Sequence, residues 1–296
     1  MVDYRRPLEF GVFPIPDAGE PRAAIEMARM ADRLELDLVG VQDHPYQRRF
    51  LDAMVLLATI AEATERVRVF PDVANLPLRP PGVLAKTAAS IDLVSGGRFE
   101  LGLGAGGFPD AAAAMGAPPR SPGEAVDALG EAIDVIRMIW SGERGLRYPG
   151  RHYRLDGVHG GPAPAHRIAI WLGSGGRRSL QLLGRSGDGW VPSSSYLPPE
   201  RLDERHAIID EAATAAGRDP AEIRRLYNIN GTITDGPSGG FLDGPRSQWV
   251  DELSSVALEH GIDTFILWPG GDPIEQLHVF ADIVPEVRER VAAARR

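Results

Sequence analysis

The chain has 296 residues, of which 43% are hydrophobic and 25% charged, and it contains no cysteine. Without cysteine, disulfides, thiolate metal sites and cysteine nucleophiles are excluded. The formal net charge of -9 at pH 7 disfavours a nucleic-acid partner, because phosphate binding needs a basic surface. No apolar run reaches the roughly 18 residues of a membrane span, and the first residues, "MVDYRRPLEF", lack the apolar core of a signal peptide. We therefore expect a cytoplasmic protein that does not bind membranes.

Short apolar runs alternate along the chain with segments of helical periodicity. The runs predict β-strands at 8–13, 38–41, 67–70, 98–103, 168–172, 189–191, 226–233 and 264–268. The periodic segments predict helices at 21–35, 52–63, 81–94, 123–140, 176–185, 199–216, 246–260 and 273–294. Eight successive strand–helix units with nearly continuous apolar strands favour a closed parallel barrel over an open sheet. The sequence thus predicts an α/β fold, a (β/α)8 TIM barrel, as a single domain over residues 1–296.

Two connecting segments are too long for plain turns. Residues 141–166 are rich in Gly, Pro and His, and residues 235–245 contain "GPSGG". We expect both to be insertion loops over the C-terminal mouth of the barrel. The active site is expected at the same end, because TIM-barrel enzymes build it where the strands end.

The stretch "GRFELGLGAGGFPD" places Gly102, Gly104 and Gly107 in the spacing G-x-G-x-x-G. A dinucleotide-binding fingerprint needs a helix directly after its last glycine, and no helix is predicted here before Pro122. Two interpretations remain open. The glycines lie at the mouth of the fourth barrel strand, where a flat ligand approaches the backbone, or they form a tight turn that serves only the fold.

A second glycine stretch, "WLGSGGRRSL", differs because its helix begins immediately, near Gly176. Free N–H groups of residues 175–177, the Ser174 hydroxyl and the guanidinium of Arg177 or Arg178 would suit a phosphate. The alternative is an ordinary turn with solvated arginines.

Three stretches together carry a family resemblance. "VANLPLRPPGVLAKTAASIDLVSGGRFELGLGAG", "EAVDALGEAIDVIRMIW" and "WLGSGGRRSLQLLGRSGDGW" resemble the bacterial luciferase-like family of flavin- and deazaflavin-dependent oxidoreductases. The resemblance runs from about residue 8 to residue 285 in the same order. It implies a (β/α)8 barrel, a ring-shaped redox cofactor in the mouth, and commonly a homodimer.

The resemblance also implies roles for particular residues. His44 matches the family's histidine beside the ring, which acts as a base or orients the ring. The family's bulge after the third strand falls on Asp72, Val73, Ala74 and Asn75, with a non-proline cis peptide bond between Pro71 and Asp72. The remaining cofactor-binding positions are those near the reactive centre, Gly104, Ala105 and Gly106, and those of the phosphate-holding turn, Ser174, Gly175, Gly176 and Arg177.

The main functional expectation is a monooxygenase that uses reduced FMN and O2 on a small organic substrate, with a separate reductase supplying the reduced cofactor. The alternative is a dehydrogenase or reductase that depends on the deazaflavin F420. Bacterial luciferase has a phosphate-binding arginine at the position of Ala105, and its absence leaves FMN and F420 both open. A non-catalytic flavin-binding homologue and a metal-dependent barrel hydrolase are more distant alternatives. The hydrolase needs a His/Asp cluster at strand ends, where only His44 qualifies, so no metal is expected.

Overall fold

The computed structural model of the chain describes residues 3–296, and its strands follow the predicted order. They are β1 (Glu9–Val12), β2 (Leu38–Val41), β3 (Arg68–Pro71), β4 (Ala74–Asn75), β5 (Leu101–Gly104), β6 (Leu146–Pro149), β7 (Arg154–Val158), β8 (Ile170–Gly173), β9 (Gly189–Trp190), β10 (Arg224–Ile233), β11 (Asp243–Gly244) and β12 (Thr264–Pro269).

The helices cover the outside of the sheet. They are α1 (Ala23–Arg33), α2 (Ala53–Ala63), α3 (Pro81–Ser95), α4 (Pro109–Ala114), α5 (Pro122–Trp140), α6 (Arg177–Ser186), α7 (Leu202–Ala215), α8 (Arg246–Glu259) and α9 (Pro273–Ala294). Within residues 3–296, none of them is both long and apolar enough to cross a bilayer.

The main sheet is parallel and closes on itself. Its order is β3-β2-β1-β12-β10-β9-β8-β5-β4. The seam is closed by two hydrogen bonds, from Val69 N to Arg98 O (2.8 Å) and from Glu100 N to Val69 O (3.0 Å). Since β4 also pairs with β5, β3 and β4 act as one strand with an interruption at Asp72 and Val73. The predicted (β/α)8 barrel is confirmed.

Two apolar clusters follow from the alternation of side chains along the strands. The larger cluster lies between the sheet and the helices. The smaller fills the barrel interior and consists of Phe13, Leu38, Phe70, Trp171, Val191, Leu226 and Ile266. The middle of the barrel is therefore a packed core and not a pore.

Helix ends agree with the local sequence signals. Ser121 and Glu124 form a reciprocal capping box at the start of α5. Gly217 and Gly261 follow their helices with positive φ of 72° and 67°. Helix α4 was not predicted, because its six residues give too short a periodic pattern.

The segment 141–166 differs from the predicted loop over the mouth. It contains the antiparallel hairpin β6–β7, which packs along the outside of α5. Glu131 on α5 accepts hydrogen bonds from the backbone N–H groups of Arg151, His152 and Tyr153 at 2.8, 2.8 and 2.9 Å. These bonds hold the segment against a helix, which composition alone did not indicate. The other segment, 235–245, does lie at the mouth end, where β11 pairs with the end of β10.

Candidate active site

A cavity of about 560 Å³ opens at the C-terminal mouth of the barrel. Strand ends and the loops that follow them supply its walls. The lining residues are Asp43, His44, Tyr46, Asp72, Val73, Ala74, Asn75, Gly104, Ala105, Gly106, Gly107, Phe108, Gly173, Ser174, Gly175, Val191, Pro192, Ser193, Tyr196, Leu197, Arg201 and Arg205. All the predicted site residues except Gly176 and Arg177 are brought together here, while their individual roles stay predictions.

The floor of the cavity is the interruption between β3 and β4. A non-proline cis peptide bond joins Asp72 to Val73. The predicted position, between Pro71 and Asp72, was one residue too early because β3 continues with regular pairing through Pro71. Asp72 and Val73 nevertheless both reach the cavity, as the resemblance implied.

Glycines on the neighbouring strands make room for this floor. A Cβ on Gly104 would lie 2.7 Å from Val73 Cγ2, and one on Gly173 would lie 2.9 Å from the same atom. A Cβ on Gly102 would lie 2.0 Å from the Pro71 carbonyl oxygen. The first glycine stretch therefore serves the bulge directly.

A buried ion pair links the mouth of β2 to the bulge. Asp43 is 2% exposed and accepts hydrogen bonds from Arg79 Nε (2.6 Å) and Nη2 (2.7 Å). Its Oδ2 also accepts from the backbone N–H of Asn75 at 2.8 Å. Arg79 extends the network to Asp52, the N-cap of α2, at 2.7 Å. This network fixes the backbone on both sides of the cavity, including the segment that carries His44.

Three aromatic rings form one side of the cavity. His44 stacks on Tyr46 with ring centroids 5.5 Å apart, and Phe108 meets both rings edge-on. Burial lowers the pKa of His44 below its usual value, against a smaller opposing effect of Asp43, so the imidazole is neutral near pH 7. Burial raises the pKa of Tyr46 to about 12, and its buried hydroxyl has no hydrogen-bond partner among residues 3–296.

Two residues of the cavity floor carry buried polar atoms without protein partners. Asp72 and Asn75 are 8% and 5% exposed, and Asp72 Oδ2 and Asn75 Oδ1 accept no hydrogen bond from the described residues. Burial raises the pKa of Asp72 to about 7, against a smaller opposing effect of the Asn228 side chain. Buried polar groups normally have partners, so these atoms indicate a place where a ligand supplies them.

The second glycine stretch is only partly at the cavity. Ser174 and Gly175 line it, and the Ser174 hydroxyl is buried without a partner in the described part of the chain. Helix α6 starts at Arg177 without a side-chain cap. Arg177 does not line the cavity, and Arg178 is held by Asp127 at 2.8 Å. The predicted guanidinium of Arg177 is thus not part of the cavity wall.

Sequence reasoning missed several lining residues. Tyr46 and Phe108 follow strand-end positions that were identified, but an aromatic residue in such a loop gives no pattern of its own. Arg201 and Arg205 come from the beginning of α7, and Tyr196 and Leu197 come from the loop before it. Their helical spacing was visible, whereas their direction toward the mouth depends on the packing of α7 against α6.

Two histidines of the segment 141–166, His166 and His159, have structural partners. His166 Nδ1 lies 2.8 Å from Asp92 Oδ1, and His159 Nδ1 accepts from Gly145 N at 3.2 Å. Among residues 3–296, no group of three or more His, Asp or Glu side chains has a geometry that could hold a metal ion.

The comparisons with known proteins agree with this geometry. The model of the luciferase-like monooxygenase family matches residues 8–238. A relative from Intrasporangium calvum, an F420-dependent glucose-6-phosphate dehydrogenase, is 28% identical over 263 residues, which cover 86% of this chain and 75% of the relative.

Solved structures share the fold at low identity. An F420-dependent secondary alcohol dehydrogenase superposes with a TM-score of 0.85 at 20% identity, covering 95% of this chain and 99% of that one. The monooxygenase RslO1 from Streptomyces bottropensis superposes with a TM-score of 0.80 at 20% identity, covering 94% and 99%.

The barrel, the cavity at its mouth and the family match together assign the chain to a class of redox enzymes. The chain belongs to the luciferase-like monooxygenase family. The predicted class, a flavin- or deazaflavin-dependent oxidoreductase, is confirmed at that level.

Proposed function

We propose that the protein is a dehydrogenase or reductase that uses the deazaflavin F420. The main support is that its relatives across 86% of the chain are F420-dependent glucose-6-phosphate dehydrogenases. These relatives favour the deazaflavin alternative over the FMN monooxygenase that was the main expectation from sequence.

The residues of the cavity fit such a cofactor. A planar ring needs a flat surface to lie on, and the bulge at Val73, for which Gly104 and Gly173 make room, lines the floor of the cavity. The ring of a flavin or deazaflavin carries hydrogen-bonding groups on its pyrimidine edge. The unpartnered Asp72 and Asn75 oxygens offer partners for those groups at the floor.

The chain's own residues would then bind and orient the substrate and accept its proton. When bound, F420 supplies a centre that accepts or donates a hydride. His44, as a neutral imidazole at the rim, takes up the proton that an alcohol loses on oxidation. The Tyr46 hydroxyl keeps its proton at neutral pH and donates a hydrogen bond to the substrate oxygen beside His44. The Tyr46 and Phe108 rings limit access of water.

The experiment is a pair of titrations of the purified protein with F420 and with FMN. Fluorescence quenching measures each dissociation constant under the same conditions. Micromolar binding of F420, with FMN at least about tenfold weaker, supports the proposal. Tighter binding of FMN, together with O2 consumption by the protein with reduced FMN, would contradict the proposal and support an FMN-dependent monooxygenase.

We further propose a homodimer that acts on a small-molecule substrate, with a separate enzyme regenerating the cofactor. Large apolar side chains are exposed on the neighbouring helices α2 and α3, with Val55, Val83 and Val94 at 68%, 67% and 73% exposure. Such side chains on two adjacent helices suit a helical contact with a second copy. Light scattering after chromatography would measure the mass, and a monomer at micromolar concentration would contradict the dimer.

A further inference from the structure

Two arginines at the start of α7 line the cavity at the barrel mouth. Arg201 ends the short 3₁₀ turn that leads into α7, and Arg205 lies in the first turn of that helix. Being four residues apart, they lie on the same helical face. They are the arginines of the cavity wall, and Arg205 is partly buried there.

Neither guanidinium is neutralised by the protein. The ion pairs of this region join Arg178 to Asp127, Arg225 to Asp210, and His260 to Asp203. Within residues 3–296, no carboxylate lies within 4.0 Å of the exposed Arg201 or the partly buried Arg205, whereas the more buried Arg79, Arg224 and Arg225 have such partners. Like charges four residues apart repel each other slightly, so the pair adds no stability to the start of α7.

The surroundings of the pair add hydrogen-bond donors. Helix α7 packs side by side with α6, whose N-terminus has no side-chain cap. The Ser174 hydroxyl, buried and without a partner among the described residues, lines the same cavity immediately before α6. A Cβ added to the adjacent Gly175 would meet nothing within 4 Å beyond its chain neighbours, so the backbone there is open to the cavity.

We propose that Arg201 and Arg205, which line the same cavity as the turn before α6, form a subsite for the oxyanions of the cofactor side chain. The inference rests on the proposed function, because it assigns the charged part of the ligand whose ring lies at Val73. Guanidinium groups bind phosphate and carboxylate through charge-assisted hydrogen bonds. They supply the positive charge that neither Ala105 nor Arg177 provides.

The oxyanion has two sources within one cofactor. F420 carries a phosphate after its ribityl chain and then glutamate carboxylates, FMN carries the phosphate alone, and F0 and riboflavin carry neither. The four compounds therefore separate the ring, the phosphate and the carboxylates as contributors to affinity.

The test compares the wild type with R201Q, R205Q and the double variant, using fluorescence titration of all four compounds. Arg185, exposed in the last turn of α6, provides the matched control R185Q, which removes the same charge far from the mouth. Each cavity variant is expected to weaken F420 binding about tenfold and the double variant more, with F0 binding unchanged. Circular dichroism checks that the variants are folded.

The outcomes separate the sources and the alternatives. Parallel losses for FMN and F420 assign the pair to the phosphate, and a loss for F420 alone assigns it to the carboxylates; both support the subsite. Unchanged F420 binding in the double variant, or an equal loss for F0, overturns it.

A failure of the proposed function is distinguishable from a failure of the subsite. If the wild type does not bind F420 at micromolar concentration, the proposed function fails. Inorganic pyrophosphate then tests the anion subsite by itself: binding by the wild type that is lost in the double variant supports it, and binding that is absent or equal in both overturns it.

Discussion

Arg79 donates two hydrogen bonds to Asp43, from Nε to Oδ2 at 2.6 Å and from Nη2 to Oδ1 at 2.7 Å. The carboxylate is almost completely buried and also accepts from the Asn75 backbone. Asp43, the residue before His44, is thus bonded both to Arg79 and to the end of the bulge. Removal of the ion pair is expected to affect both the fold and the site.

For R79Q, we expect the free energy of unfolding to fall by about 3 kcal/mol, because the variant leaves the buried Asp43 carboxylate without its cation. Urea denaturation of the wild type and variant measures the difference. R48Q, which changes an exposed arginine nearby, should alter stability by less than about 0.5 kcal/mol. A loss in R79Q as small as that of R48Q would show that the pair does not support the mouth.

Replacing His44 by Gln is expected to lower kcat by about 100-fold or more with little change in F420 affinity, because a proton acceptor is lost while the ring cradle remains. H260Q, which changes a histidine paired with Asp203 outside the cavity, is the control. In the wild type, burial lowers the pKa of His44 below 6.5, so kcat/KM should stay level down to that pH and fall only below it. Wild-type turnover retained in H44Q would exclude the role.

Asp72 makes stability depend on pH in an unusual direction. Its folded pKa, raised to about 7 by burial, exceeds the unfolded value of 3.8, so the folded state holds a proton that the unfolded state releases between these values. The contribution of Asp72 to the free energy of unfolding is therefore present below about pH 4 and is lost progressively up to about pH 7, by at most about 4 kcal/mol.

The variant D72N removes this titration. Denaturation curves between pH 5 and pH 8 should show it gaining stability relative to the wild type as the pH rises. A constant difference across that range would mean that Asp72 titrates normally in the folded protein.

The close approach of Gly104 to Val73 predicts a compensating pair of substitutions. G104A puts a methyl group 2.7 Å from Val73 Cγ2, so the bulge must shift and F420 binding should weaken about tenfold. V73A removes the obstructing methyl groups, and G104A/V73A should recover part of the loss. A double-mutant cycle of F420 dissociation constants measures the coupling. Additive effects would mean that the glycine does not serve the bulge.

The barrel could be predicted from the sequence because the same strand–helix pattern recurs eight times. Eight apolar runs separated by amphipathic segments leave few other arrangements, and caps such as Ser121 mark the boundaries independently. The hairpin at 146–158 was not predicted because its strands are largely exposed and lack apolar alternation. The position of the hairpin depends on the hydrogen bonds that Glu131, distant in sequence, accepts from three backbone N–H groups.

The residues of the candidate site could be predicted where they lie at the ends of strands. His44, the bulge and Gly104 each lie at or shortly after the end of a strand, so the topology alone brings them together. Arg201, Arg205 and Phe108 lie on helical or loop segments whose direction is set by tertiary packing, and the cis bond was displaced by one residue because its exact position depends on how far β3 pairs.

The most direct measurement is a crystal structure of the protein with F420 at saturating concentration. We expect the deazaflavin ring in the barrel mouth, within about 4 Å of Val73 and Gly104 and beside His44, with its phosphate between Ser174 and the α7 arginines. A ring bound in the apolar cleft between α1 and α9, which is lined by Ile15, Met27 and Ile274, would contradict the assignment of the mouth as the cofactor site.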